Sequence, residues 1–128
     1  MQLIGIGTDI IQIDRIRKSI KRYGLSFAER ILHPNELKIF VKRENNIAYL
    51  AKRFAAKEAL AKALGTGIAQ GVSFVDIETQ NNPQGKPELL LHGKTQKKAE
   101  ELGVKQAHLS LSDEKDYAVA YVILVGEG

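Results

Sequence analysis

Three side chains within Arg53–Gly67 (RFAAKEALAKALGTG) have types and spacing suited to chemistry: Lys57, Glu58 and Lys62. The stretch is built from the strong helix formers Ala, Leu, Lys and Glu and is closed by glycine, so it reads as a helix. At about 100° per residue, Leu50, Phe54, Ala61 and Leu64 fall on one narrow stripe. Lys57 projects into the middle of that stripe, and Glu58 lies on its edge, one turn before Lys62. A buried charge left unpaired costs about 3–5 kcal/mol, so solvated charges belong on the opposite face. Charge at the margin of a packed face therefore marks a candidate site, although a plain helical Glu58–Lys62 pair, worth about 0.2–0.5 kcal/mol, would account for part of the pattern. The exit Gly65-Thr66-Gly67 can cradle phosphate with backbone N–H groups, but it matches neither the P-loop nor the dinucleotide fingerprint and serves equally as a helix stop.

A second carboxylate, Asp9, follows the apolar run Gln2–Ile6, which reads as a buried strand broken by Gly7-Thr8-Asp9. It is either a functional group at a strand end or a cap for the next helix. Near the other end, alternation in His108-Leu109-Ser110-Leu111-Ser112 puts an imidazole and two hydroxyls on one strand face. No nucleophile elbow accompanies them, so a hydrolase triad is not the reading. His33, placed before Pro34, reads as a turn residue rather than a ligand.

The elements that must position these groups follow from periodicity. Ile11–Tyr23 is an amphipathic helix with Ile13, Ile16, Ile20 and Tyr23 on one face. Its other side carries Arg15, Lys18, Lys21 and Arg22, with Arg17 at the flank, against a single acid, Asp14, which suits an acidic partner better than a merely solvated face. Short helices are expected over 26–32 and 36–42, the latter capped by Asn35, then a long helix over 47–64. Residues 73–79 and 86–91 read as a hairpin around Asn81-Asn82-Pro83-Gln84-Gly85, 95–102 as a helix, and 106–112 and 117–125 as strands. Helices early and strands late give an α+β fold, one domain over residues 1–128.

Composition narrows the function classes. With 44% apolar and 27% charged residues the chain is neither disordered nor membrane-spanning, and no secretory signal is visible. There is no cysteine, which excludes disulfides and thiolate chemistry and fits a cytoplasmic protein. A net charge of +4 favours a polyanionic partner. A small RNA- or DNA-binding module would share that charge, but the few aromatic residues are scattered and form no stacking platform.

Two motifs standing together carry a resemblance: Gly7-Thr8-Asp9 followed by Arg15-Ile16, and Phe54-Ala55-Ala56-Lys57-Glu58-Ala59-Leu60-Ala61-Lys62 with Gly65 behind it. With Gly85-Lys86-Pro87 and the late His-x-Ser-x-Ser strand, the chain resembles the 4′-phosphopantetheinyl transferases, specifically their short bacterial holo-acyl-carrier-protein synthases. The resemblance implies an antiparallel sheet packed on the long helix. It also implies transfer of the phosphopantetheine arm of coenzyme A to a serine of apo acyl carrier protein in fatty acid biosynthesis, leaving adenosine 3′,5′-bisphosphate. By the same resemblance Asp9 and Glu58 hold Mg²⁺, Lys62 reaches the phosphates, and Asp9, Glu58 and Lys62 form the catalytic set, with Glu58, directly or through a metal-bound water, the expected base. Arg53, Lys57, Lys62, Gly65, Thr66, Lys86, Pro87 and His108 are the implied coenzyme A contacts. Lys57 has two further readings, orienting Glu58 or tying the helix to a neighbour. Arg15, Lys18 and Arg22 are the implied docking residues for the acidic carrier. A homotrimer with sites between subunits is expected, with neither nucleic acid nor membrane as partner.

Overall fold

The computed structural model describes residues 1–127. Its first half runs β1 (Gln2–Gln12), α1 (Ile13–Tyr23), α2 (Leu25–Ile31), α3 (Pro34–Lys42) and α4 (Asn46–Ala63). Its second half runs β2 (Ile77–Asn81), β3 (Pro87–Leu91), α5 (Gly93–Glu101), β4 (Gln106–Asp113) and β5 (Tyr117–Gly126). The α+β expectation holds: β1, β5 and β4 form an antiparallel sheet in that order, and β2 with β3 forms the separate hairpin.

The expected break at Gly7-Thr8-Asp9 does not occur. β1 continues through it, pairing Gly7 with Val122, Asp9 with Ala120 and Gln12 with Tyr117, which also delays the start of α1 to Ile13. The glycines serve packing instead. A Cβ on Gly5 would collide with the Ala63 carbonyl, and one on Gly7 with the Ala59 carbonyl, so α4 lies directly against the β1 backbone.

The inner sheet face supplies Ala118, Ala120, Val122 and Leu124, all fully buried, and α4, whose Ala55, Ala56 and Ala59 are fully buried as well, packs against β5. Burial on α4 is wider than one stripe, because the sheet covers one side and α1 to α3 the other. Leu50, Ala51, Leu60 and Ala61 are therefore buried as well. Apolar burial at about 25 cal/mol per Å² makes this helix the centre of the core.

Two further local expectations change. The N-cap of α3 is His33, not Asn35: His33 Nδ1 accepts from the Asn35 N–H at 3.1 Å while Glu36 Oε1 accepts from the His33 N–H at 2.9 Å. Residues 73–76 are not strand, because the Phe74 carbonyl is taken by the Ile77 N–H and the Lys57 ammonium. The hairpin turn is as expected, with Asn82 Oδ1 accepting from the N–H groups of Gln84 and Lys86 and Gly85 at positive φ.

Candidate active site

β1 and α4 bring Asp9 together with Glu58 and Lys62, which lie far along the sequence from it. Lys62 Nζ donates to Asp9 Oδ1 at 2.9 Å and to the Thr8 carbonyl at 3.0 Å. The helical Glu58–Lys62 pair is not formed, because Lys62 turns to β1 instead. Glu58 is half-buried and has no hydrogen-bond or ion-pair partner among the described residues. Its carboxyl is raised above the ordinary carboxylate range by burial and by the charge of Asp9, with Lys62 pulling the other way. A carboxylate pair short of positive charge, offering only hard oxygen donors, is a donor set that Mg²⁺ takes. Beside Lys62 a cavity of about 370 Å³ is lined by Ile6, Gly7, Thr8 and Tyr121. On the same side of α4 as Glu58, one turn earlier, Phe54 stacks on Phe74 at 5.3 Å. The pair lines an apolar cleft of about 730 Å³ with Phe27, Ile31 and Val75, within the size range of small-molecule sites.

Lys57 corrects the expectation of a ligand contact. Its side chain is fully buried, and Nζ donates to Glu36 Oε1 at 2.6 Å, the Ile31 carbonyl at 2.7 Å and the Phe74 carbonyl at 2.9 Å. All three ammonium protons are used, so nothing remains for a ligand. Burial lowers the Lys57 pKa, opposed by the charge and hydrogen bond of Glu36. Of the three readings, tying α4 to its neighbours is the one the geometry realises.

Arg53 lies in the same network rather than on an open surface. Its guanidinium stacks over the Tyr49 ring at 4.5 Å, and Nε stands 3.9 Å from Glu36 Oε2. With side-chain exposure of only 7%, Arg53 has little surface to offer a nucleotide. Gly65 and Thr66 follow the C-terminus of α4, with Gly65 at positive φ. Lys86 and Pro87 sit at the hairpin end, and His108 is exposed on the outer sheet face opposite Ile123. Among the described residues, no hydrogen bond or ion pair joins Lys86, Pro87 or His108 to Asp9, Glu58 or Lys62.

On α1, Arg15, Lys18 and Arg22 are all exposed. Asp14 pairs with Arg17 at 3.0 Å and with Lys18 at 3.2 Å, so Lys18 is partly neutralised. Arg15 and Arg22 have no acidic partner among the described residues. Sequence reasoning passed over Glu36, which accepts from Lys57 and from the Thr79 N–H. The signal available was the buried lysine itself, since its charge demanded an acid nearby. It also passed over Glu78 and His92, which join His33 in a cluster at the N-terminus of α3.

The 4′-phosphopantetheinyl transferase superfamily matches residues 5–122, and the chain belongs to it. A holo-[acyl-carrier-protein] synthase of Photobacterium profundum is 57% identical over 124 residues, covering 97% of this chain and 98% of its relative. The crystal structure of the holo-[acyl-carrier-protein] synthase from Neisseria meningitidis superposes with a TM-score of 0.93 at 46% identity, covering 97% of this chain and 99% of the other. The Helicobacter pylori holo-[acyl-carrier-protein] synthase, solved in complex with coenzyme A, superposes with a TM-score of 0.82 at 33% identity, covering 94% and 99%.

Proposed function

We propose that the chain is a holo-acyl-carrier-protein synthase, moving the 4′-phosphopantetheine group of coenzyme A onto a serine of apo acyl carrier protein. The observation that carries the reading is the convergence of Asp9 from β1 with Glu58 and Lys62 from α4, in a member of this superfamily. In the reaction the serine Oγ bonds to the phosphorus bearing the pantetheine arm. The bond from that phosphorus to the bridging oxygen breaks, leaving adenosine 3′,5′-bisphosphate.

Asp9 and Glu58 are the proposed holders of Mg²⁺, which when bound supplies positive charge to the pyrophosphate. Lys62 is exposed enough to swing from Asp9 to a phosphate oxygen, placing its charge where negative charge develops. Glu58, directly or through a water on the ion, is the group proposed to take the serine proton. Gly65, Thr66, Lys86, Pro87 and His108 remain proposed coenzyme A contacts, supported by their exposure or half-exposure.

Arg15 and Arg22, with Lys18 in a lesser part, form the proposed docking face for the acidic carrier. A homotrimer with shared sites is supported by the outer sheet face, where Ile6, Ile10, Tyr117 and Tyr121 are exposed together. A cytoplasmic location and a role in fatty acid biosynthesis complete the proposal. No helix among the described residues is long and apolar enough to cross a membrane.

The test is Mg²⁺-dependent loading of apo acyl carrier protein from coenzyme A, read as a mass increase of the carrier. Asp9→Ala and Glu58→Ala should abolish loading in a folded protein. Carriers left unmodified by the wild-type protein and Mg²⁺ would overturn the assignment. Sedimentation at the mass of a single subunit would remove the trimer.

A further inference from the structure

Away from the Asp9–Glu58 pair, the N-terminus of α3 and the β2–β3 hairpin converge on a second group of ligating side chains: His33, Glu78 and His92. The chain has three histidines, and two of them meet here. Glu78 Oε1 lies 2.9 Å from His92 Nε2 and 3.6 Å from His33 Nδ1. The imidazoles stack at 4.6 Å between centroids with 22° between their planes, so both turn a nitrogen toward the same carboxylate oxygen.

We propose that His33, Glu78 and His92 bind one divalent transition-metal ion of the Zn²⁺ or Co²⁺ type, clamping the hairpin to α3. Two imidazole nitrogens and a carboxylate oxygen suit such borderline ions and are a poor set for Mg²⁺, which prefers oxygen alone. Ligand bonds of about 2.0–2.1 Å in a tetrahedron put ligand atoms about 3.3–3.4 Å apart. The separations of 2.9 and 3.6 Å bracket that value, so small side-chain shifts admit an ion.

The surroundings are organised for it. Asn35 Nδ2 holds the other Glu78 oxygen at 3.1 Å, the kind of outer hydrogen bond that orients a ligating carboxylate. The Asn35 N–H donates to His33 Nδ1, which fixes that nitrogen as unprotonated, the form a metal needs. Asn35 is exposed, so water can take over its N–H when an ion arrives. His92 Nε2 then releases its proton, either to its own Nδ1 as a tautomer or to solvent. Glu78 is buried while His92 is 40% exposed, which leaves an entry path from solvent, and water from there can supply a fourth ligand. The cluster shares no residue with the proposed Mg²⁺ site and differs from it in its two imidazoles, so it stands or falls independently of the transferase reading.

Co²⁺ is the probe, titrated into the untagged full chain in excess Mg²⁺ so that the carboxylate pair is already occupied. One Co²⁺ per chain with the visible absorption of a four-coordinate ion is expected. Binding should weaken at least about tenfold in His92→Gln and in His33→Gln, the scale on which even supporting residues of a metal site act. His108→Gln and Asp9→Ala should leave it unchanged. Zn²⁺ should raise the thermal midpoint of the wild type but not of His92→Gln. A spectrum without Co²⁺ bands would show a hydrogen-bonded cluster only. Binding that survives His92→Gln, or is lost with Asp9→Ala, would place the ion elsewhere; either result overturns the proposal.

Discussion

Lys57 and Lys62 sit five positions apart on α4, each hydrogen-bonded to a carboxylate, at 2.6 Å and 2.9 Å respectively, and they do opposite work. Lys57 and Glu36 are sealed at 0% and 1% exposure, and every Lys57 proton has an acceptor. Lys62 is half exposed and shares its charge between Asp9 and one carbonyl. Burial turns the first pair into a fixed joint among α2, α3, α4 and the segment before β2. Solvent leaves the second weak and exchangeable. A charged pair at the centre of a fold is thus no mark of chemistry in itself. The informative pair is the one whose charges are incompletely matched, and here that is the site holding an unpartnered Glu58.

The contrast can be broken by substitution. Lys57→Met should cost about 3–5 kcal/mol in urea unfolding, because it strands the buried Glu36 carboxylate. Lys62→Met should cost no more than about 1 kcal/mol. Equal losses would erase the distinction. In carrier loading the order reverses: Lys62→Met should lose about 10²- to 10³-fold in kcat, the scale for removing one preorganised charge or donor.

Gly7→Ala should cost about 1–3 kcal/mol by overpacking α4 against β1. It should also reduce loading beyond what that stability loss explains, since Asp9 is two residues along; loading in proportion to folded protein would refute the link. The smallest effect is electrostatic. The raised Glu58 pKa means the folded chain holds that proton more tightly than the unfolded chain. Its contribution to stability therefore falls as pH rises from the ordinary carboxylate range through the raised value. Asp9→Asn should lower the Glu58 pKa, seen by carboxyl NMR titration without metal, and flatten that fall. An unchanged pKa would leave burial as its sole cause.

The parts of the fold legible in the sequence were those governed by local chemistry. The Asn82 turn, the alternation of β4 and the basic face of α1 depend on neighbours in the chain, and the expected elements formed there. The role of Lys57 was not legible, because its acceptors on Ile31, Glu36 and Phe74 come from three other segments. Gly7 read as a strand break for the same reason: the demand for a missing side chain comes from Ala59, far along the sequence. Asp9 and Glu58 could be paired only by resemblance, since periodicity places each on its own element and says nothing of the distance between elements. His33 was read from Pro34 beside it, whereas its partners Glu78 and His92 arrive from the hairpin.

Where α4 crosses β1, peptide group meets peptide group, and this places a one-way limit on how the protein can change over generations. Every possible replacement of Gly5 or Gly7 adds atoms, and the nearest atoms belong to backbone that cannot turn aside. Drift at these two positions can therefore push the backbones of β1 and α4 apart but cannot draw them closer. The docking face on α1, made of long exposed side chains, is free to vary in charge and reach.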